Sequence, residues 1–234
     1  MMKRITWLML LLVSMTATAQ KDVTKFLGIP VDGYVSEMKQ KLINKGFTYD
    51  SQYKSFGGEF NGRNVNIYIS TNNNKVWRIM VCDANTCSET DIKIRFNTLC
   101  NQFAKNKKYI PANFGEKEYN LSEDEDISYE MAVHNKRYEA CYYQLPDPDL
   151  VDTLDVQKRI NKVLLQEYSQ EQIDNPTEEQ AEAINRMASN EYTNIAYEIT
   201  VKKSVWFMIS EHYGKYYIAM YYDNEYNHSD GEDL

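Results

Sequence analysis

The side chains with the widest chemical reach are four cysteines, Cys82, Cys87, Cys100 and Cys141, and three histidines, His134, His212 and His228. Cysteine–histidine catalysis needs a low-pKa thiolate beside a base, and no nucleophile signature surrounds any of the four. Zinc sites pair Cys and His at tight spacings, which these residues lack. In an oxidising compartment the four cysteines are expected to form two disulfides, with three pairings open. The favoured pairing is Cys82–Cys87, closing a short loop, with Cys100–Cys141, joining a helix to a strand; the plainer reading of Cys100 is a buried free thiol. Carboxylates are plentiful in Glu123-Asp124-Glu125-Asp126 and in Asp147, Asp149 and Asp152. Two of them on separate strands would suffice for glycoside hydrolysis. A solvated loop and a Pro-Asp turn leading into a helix explain the same runs more simply. Asp147-Pro148-Asp149 and Asp230-Gly231-Glu232-Asp233 lack the ligand spacing of an EF-hand calcium loop. Gly57, Gly58 and Gly62 precede no helix, so they are not a phosphate loop. No catalytic residue, metal ligand or cofactor is assigned.

The unusual positive feature is aromatic: tyrosine occurs 19 times. In the last hairpin, if Val205, Phe207 and Ile209 face the core, Trp206 and Met208 face away, because side chains alternate along a strand. On the partner strand either Tyr217 and Tyr221, or Tyr216 and Tyr222, share that outer face. Tyr68 sits similarly on an earlier hairpin. An exposed Trp/Tyr/Met face suits a protein or glycan interface; the alternative is that helices cover both faces and these rings are core. The candidate binding residues are Trp206, Met208, Tyr68, Tyr217 and Tyr221.

The elements that would position them follow from periodicity. Residues 1–19 have the three parts of a cleavable export signal: Lys3 and Arg4, the apolar run Ile5 to Val13, and Ala17-Thr18-Ala19. The apolar run is too short to span a bilayer, so no membrane anchor is expected after cleavage and the mature chain is read as periplasmic or secreted. Losing Lys3 and Arg4 moves the formal charge from −8 to −10. That balance argues against nucleic-acid binding. Helices are expected over about 34–45, 89–105 and 150–168, with another opening at Thr177. Strands are expected at Phe56–Phe60, Val65–Ile69 and Val76–Cys82, with a hairpin turn at Asn61-Gly62. A second hairpin is expected from Ile127–Val133 and Tyr138–Leu145, then two long strands, Thr193–Ser210 and Lys215–Asp223. The fold class is α+β: a curved antiparallel sheet of about seven strands with helices on one face. Residues 20–223 are read as a single domain with a helical segment at about 150–190, and 224–234 as an acidic flexible tail. The hairpins around Val65 and Val205 match at Val65/Val205, Ile69/Ile209, Ser70/Ser210, Lys75/Lys215 and Met80/Met220. Either one αβ unit is duplicated, or two amphipathic hairpins look alike.

The segment FLGIPVDG, with the following helix and FGGEFNGRNVNIYISTNNNKVWRIMV, resembles a group of small secreted Bacteroidetes proteins over roughly residues 26–105. The order of helix, hairpins, helix, hairpins is similar to the β-lactamase-inhibitor-like fold, which implies two αβ repeats presenting a concave sheet to protein partners. A fold likeness transfers no function by itself. The preferred expectation is a non-catalytic binding module for a cell-envelope protein or peptide. The alternatives are a secreted hydrolase of glycans or peptides, and an inhibitor-like protein that occludes an enzyme.

Overall fold

The computed structural model describes residues 21–115 and 118–229. The expected export signal and residues 230–234 of the expected tail lie outside them. In chain order the elements are β1 (Lys25–Phe26), β2 (Ile29–Pro30), α1 (Val35–Asn44), β3 (Thr48–Asp50), β4 (Ser55–Phe60), β5 (Arg63–Asn72), β6 (Lys75–Asp83), α2 (Glu89–Lys105) and β7 (Tyr109–Pro111). Then come α3 (Ile127–His134), β8 (Glu139–Gln144), α4 (Thr153–Leu164), α5 (Gln170–Asp174), α6 (Glu178–Thr200), β9 (Ser204–His212) and β10 (Lys215–Asp223). Strands β3 to β10 form one open, curved eight-stranded sheet in the order β3-β4-β5-β6-β10-β9-β8-β7. Every neighbouring pair is antiparallel. The fold is α+β, with a separate two-stranded ribbon of β1 and β2.

Tight turns set the register. Asn61-Gly62, Asn73-Asn74 and Tyr213-Gly214 each place two successive residues at positive φ, the mark of the type I′ turns that match strand twist. The order repeats as well. α1 followed by β3-β4-β5-β6 forms one half of the sheet, and α2 followed by β7-β8-β9-β10 forms the other in mirrored order. Val81 and Met220 pair where the halves meet. A bulge between Ser70 and Thr71 on β5 puts one extra residue on β6. It flips the face of everything beyond, so Met80 faces away from the helices while Met220 is core.

Helices α1 and α2 cover one face. Met38 and Leu42 of α1, and Ile92, Phe96, Leu99 and Phe103 of α2, are buried with Ile67, Ile79, Val81, Val205, Phe207, Ile218 and Tyr222 in one cluster. α2 starts as its sequence requires: the Ser88 hydroxyl accepts from the Asp91 amide, satisfying an orphan helix donor. Gly58 lacks a Cβ for a physical reason, since one would lie 2.5 Å from the Phe47 ring packed against it.

One expected strand, and the first part of another, are helical instead. Ile127–His134 is α3: Asp126 caps it by accepting from the Tyr129 amide, and Asn135 ends it in the left-handed conformation. Its Ile, Tyr and Val imitate a strand pattern, but the caps decide. Residues 193–200 are the end of α6, because Ile195 continues the helical face toward α4 and is buried. α4 and α6 form a helical hairpin between β8 and β9 that packs chiefly on itself, and Arg159 of α4 bridges Glu191 and Glu198 of α6 at 3.1 and 2.7 Å. After β10 the chain folds back on the N-terminal segment: the Asn224 amide donates to the Val31 carbonyl at 2.7 Å, and Asn227 to the Val76 carbonyl at 2.8 Å.

All four cysteines are free, so neither expected disulfide forms. Strand alternation explains it. Cys100 lies on α2 against the helix-covered face, whereas Cys141 sits beside core-facing Tyr142 and points to the opposite face. The sheet stands between them. Cys82 likewise points away from the helices, while Cys87 bridges Tyr216 and packs against the core.

Candidate functional site: the uncovered sheet face

The strand register lines up the outward side chains in rows. The central row runs Tyr68, Met80, Tyr221, Trp206, Cys141, each directly opposite the next on five adjacent strands. The row beside it runs Gly57, Asn66, Cys82, Ala219, Met208, Glu139. Tyr217, opposite Ser210, extends the patch. The five sequence-designated residues Trp206, Met208, Tyr68, Tyr217 and Tyr221 therefore stand together. Tyr216 and Tyr222, the other pair considered, are buried on the helix side. Ala219 is buried and Glu139 exposed; the other outward residues are half-buried by their neighbours rather than covered by a described element.

The patch has an organised centre that periodicity did not reveal. Trp206 stacks on Tyr221 with ring centroids 4.0 Å apart and 17° between planes. Asp223, almost fully buried, accepts from Arg78 Nε at 2.6 Å, from Arg78 Nη2 at 2.7 Å and from Trp206 Nε1 at 2.9 Å. The Arg78 guanidinium lies 4.3 Å from the Trp77 ring centroid and 4.9 Å from that of Tyr221. Bidentate pairing and cation–π contact hold the rings in one orientation. At the β8 side, Phe114 reaches both Tyr143 and Tyr197 of α6, at 6.4 and 6.0 Å between centroids. The helical hairpin thus bounds the face there. Met80 was not legible, because pairing counted from the Asn73-Asn74 turn sets Tyr68 opposite Ile79, and the bulge puts Met80 there instead.

The site's electrostatics oppose thiolate chemistry. Burial pushes the Cys82 and Cys141 thiols up to about 11, with Asp83 raising Cys82 further and Asp223 and Glu139 raising Cys141. Both are neutral thiols at pH 7, the reverse of a nucleophilic cysteine. Burial also raises Tyr68 and Tyr221. Among the described residues no three His, Cys, Asp or Glu side chains gather as a metal-binding group. Asp147, one of the carboxylates considered for hydrolysis, is held low by its bond to Lys25 at 2.7 Å. No described helix is long and apolar enough to cross a membrane. Comparison with protein-family models, with curated proteins and with solved structures finds no match.

Proposed function

We propose that the protein is a non-catalytic binding module, exported by its N-terminal signal to the periplasm or beyond, whose helix-free sheet face holds a protein partner. The observation that carries this is the continuous row Tyr68–Met80–Tyr221–Trp206–Cys141 with no described element over it. Tyr, Trp, Met and Arg are the residue types enriched at interface cores. Pre-stacked rings lose little conformational freedom on binding. The two edge strands β3 and β7 are three residues each, too short to add a partner strand well, so recognition through the face is favoured over strand addition. Glu59 and Glu139 flank the face, and the chain is acidic overall. The matching surface is apolar at its centre and basic around it. An enzyme occluded by this face would be one case of such a partner.

The test is crosslinking capture from an envelope extract, followed by titration of the captured protein against the wild type and against Met208→Ala and Trp206→Ala. A hot-spot residue costs about 2 kcal/mol or more on truncation, roughly thirtyfold in Kd. Unchanged affinity in both folded variants would place the partner elsewhere and defeat the reading.

A further inference from the structure

The opposite side of the sheet holds a cavity of about 950 Å³, at the large end of small-molecule sites. It opens between the C-terminal end of α2 and the β1–β2 turn. Its floor is Phe103, Met220 and Tyr222, all buried in the core. Phe60 and Leu27, from the β4 end and the β1–β2 turn, form the far wall.

Charge distinguishes this cavity from the rest of an acidic chain. Four lysines line it, Lys25, Lys107, Lys108 and Lys203, with one carboxylate, Asp147. Lys25 is taken by Asp147 at 2.7 Å, and Lys203 by Asp22, just outside the lining, at 2.6 Å. Lys107 and Lys108 are exposed at the mouth, and no ion pair with a described residue holds either. Lys203 is only 2% exposed, an extreme for an ammonium. Two of its three N–H donors are used, on Asp22 Oδ2 and on the Leu145 carbonyl at 3.1 Å. The third has no protein partner among the described residues. Burial lowers its pKa in spite of Asp22, so an added anion beside it would be stabilising. The Tyr222 hydroxyl, also at the floor, receives no hydrogen bond from a described residue.

We infer that this cavity binds a single-chain anionic amphiphile, its apolar body on Phe60, Phe103, Met220 and Tyr222 and its carboxylate among the lysines at 107, 108 and 203. The inference is independent of the sheet-face proposal, since the two sites lie on opposite sides of the sheet.

The probe is the fluorescent fatty acid cis-parinaric acid, titrated into the purified protein at low salt beside its uncharged methyl ester. Saturable binding of the acid is expected, with the ester weaker by about tenfold. Lys107→Glu with Lys108→Glu, both exposed, should weaken the acid by about tenfold and leave the ester unchanged. Leu27→Glu, at the opposite rim, should weaken the acid similarly, which guards against the lysine pair acting through α2; circular dichroism confirms that each variant is folded. Equal affinity for acid and ester overturns the anion assignment. No saturable signal from either probe overturns the site. Binding that survives both rim variants but is lost in Trp206→Ala moves the ligand to the other face and overturns it too.

Discussion

The two faces of the sheet are built from the same strands and the same pairing, yet they differ in kind. One row on the helix side runs Phe56, Ile67, Val81, Met220, Phe207, Ala140, and every member is buried. The neighbouring row on the free side, Tyr68, Met80, Tyr221, Trp206, Cys141, is half-exposed throughout. The first is close-packed against two helices and supplies stability. On the second, side chains support one another laterally, through Arg78, Asp223 and ring stacking. One sheet thus divides its labour: period-two alternation assigns the residues, and the helices choose which set becomes core.

Adjacent residues offer the sharpest way to break that contrast. Phe207→Ala should destabilise by about 3–5 kcal/mol in denaturant unfolding, since Phe207 is fully buried against Phe96 and Phe103. Trp206→Ala should cost less, about 1–2 kcal/mol, for a stacked pair and one hydrogen bond. Equal losses would mean that the free face is a second core. Arg78→Ala should cost about 2 kcal/mol in the same assay, because it strands the Asp223 carboxylate, whose side chain is 4% exposed; a negligible cost would show that the network orients the rings without stabilising the fold.

Smaller effects separate the cysteines. Cys82, Cys100 and Cys141 have an ordinary thiol value of 9.0 raised to about 11, by burial first in each case. Each is protonated in both states at pH 7. Between pH 9 and about 11 the unfolded chain ionises first, so stability falls as pH rises through that window. The melting temperature should therefore decline above pH 9, and less steeply in Cys82→Ser/Cys141→Ser than in the wild type; an unchanged slope would mean that the face thiols take no part. The smallest signal is labelling. In native protein a maleimide should reach Cys82 and Cys141 before Cys100, which is 2% exposed, and peptide mass mapping reads the order. Early modification of Cys100 would show α2 lifting from the sheet.

Local chemistry made much of the molecule legible in the sequence. α2 was readable from Ser88 and its apolar face, the β4–β5 hairpin from Asn61-Gly62, and the outward set Trp206 and Met208 from alternation with Val205, Phe207 and Ile209. Each of these depends on residues within a few positions of one another. Where local preference was ambiguous, reading failed: Ile127–His134 carries strand-forming residues between two helix caps, and 193–200 hides a helical face that only α4 reveals. Three things depended on the fold as a whole. The pairing of β6 with β10 joined the two halves, so Tyr68 and Met80 met Tyr221 and Trp206 across elements far apart in sequence. The bulge on β6 chose Met80 rather than its counterpart Met220 for the free face. And the sheet itself separated Cys100 from Cys141, because a period-two backbone sends residues next to each other in sequence to opposite sides of a layer that no disulfide can cross.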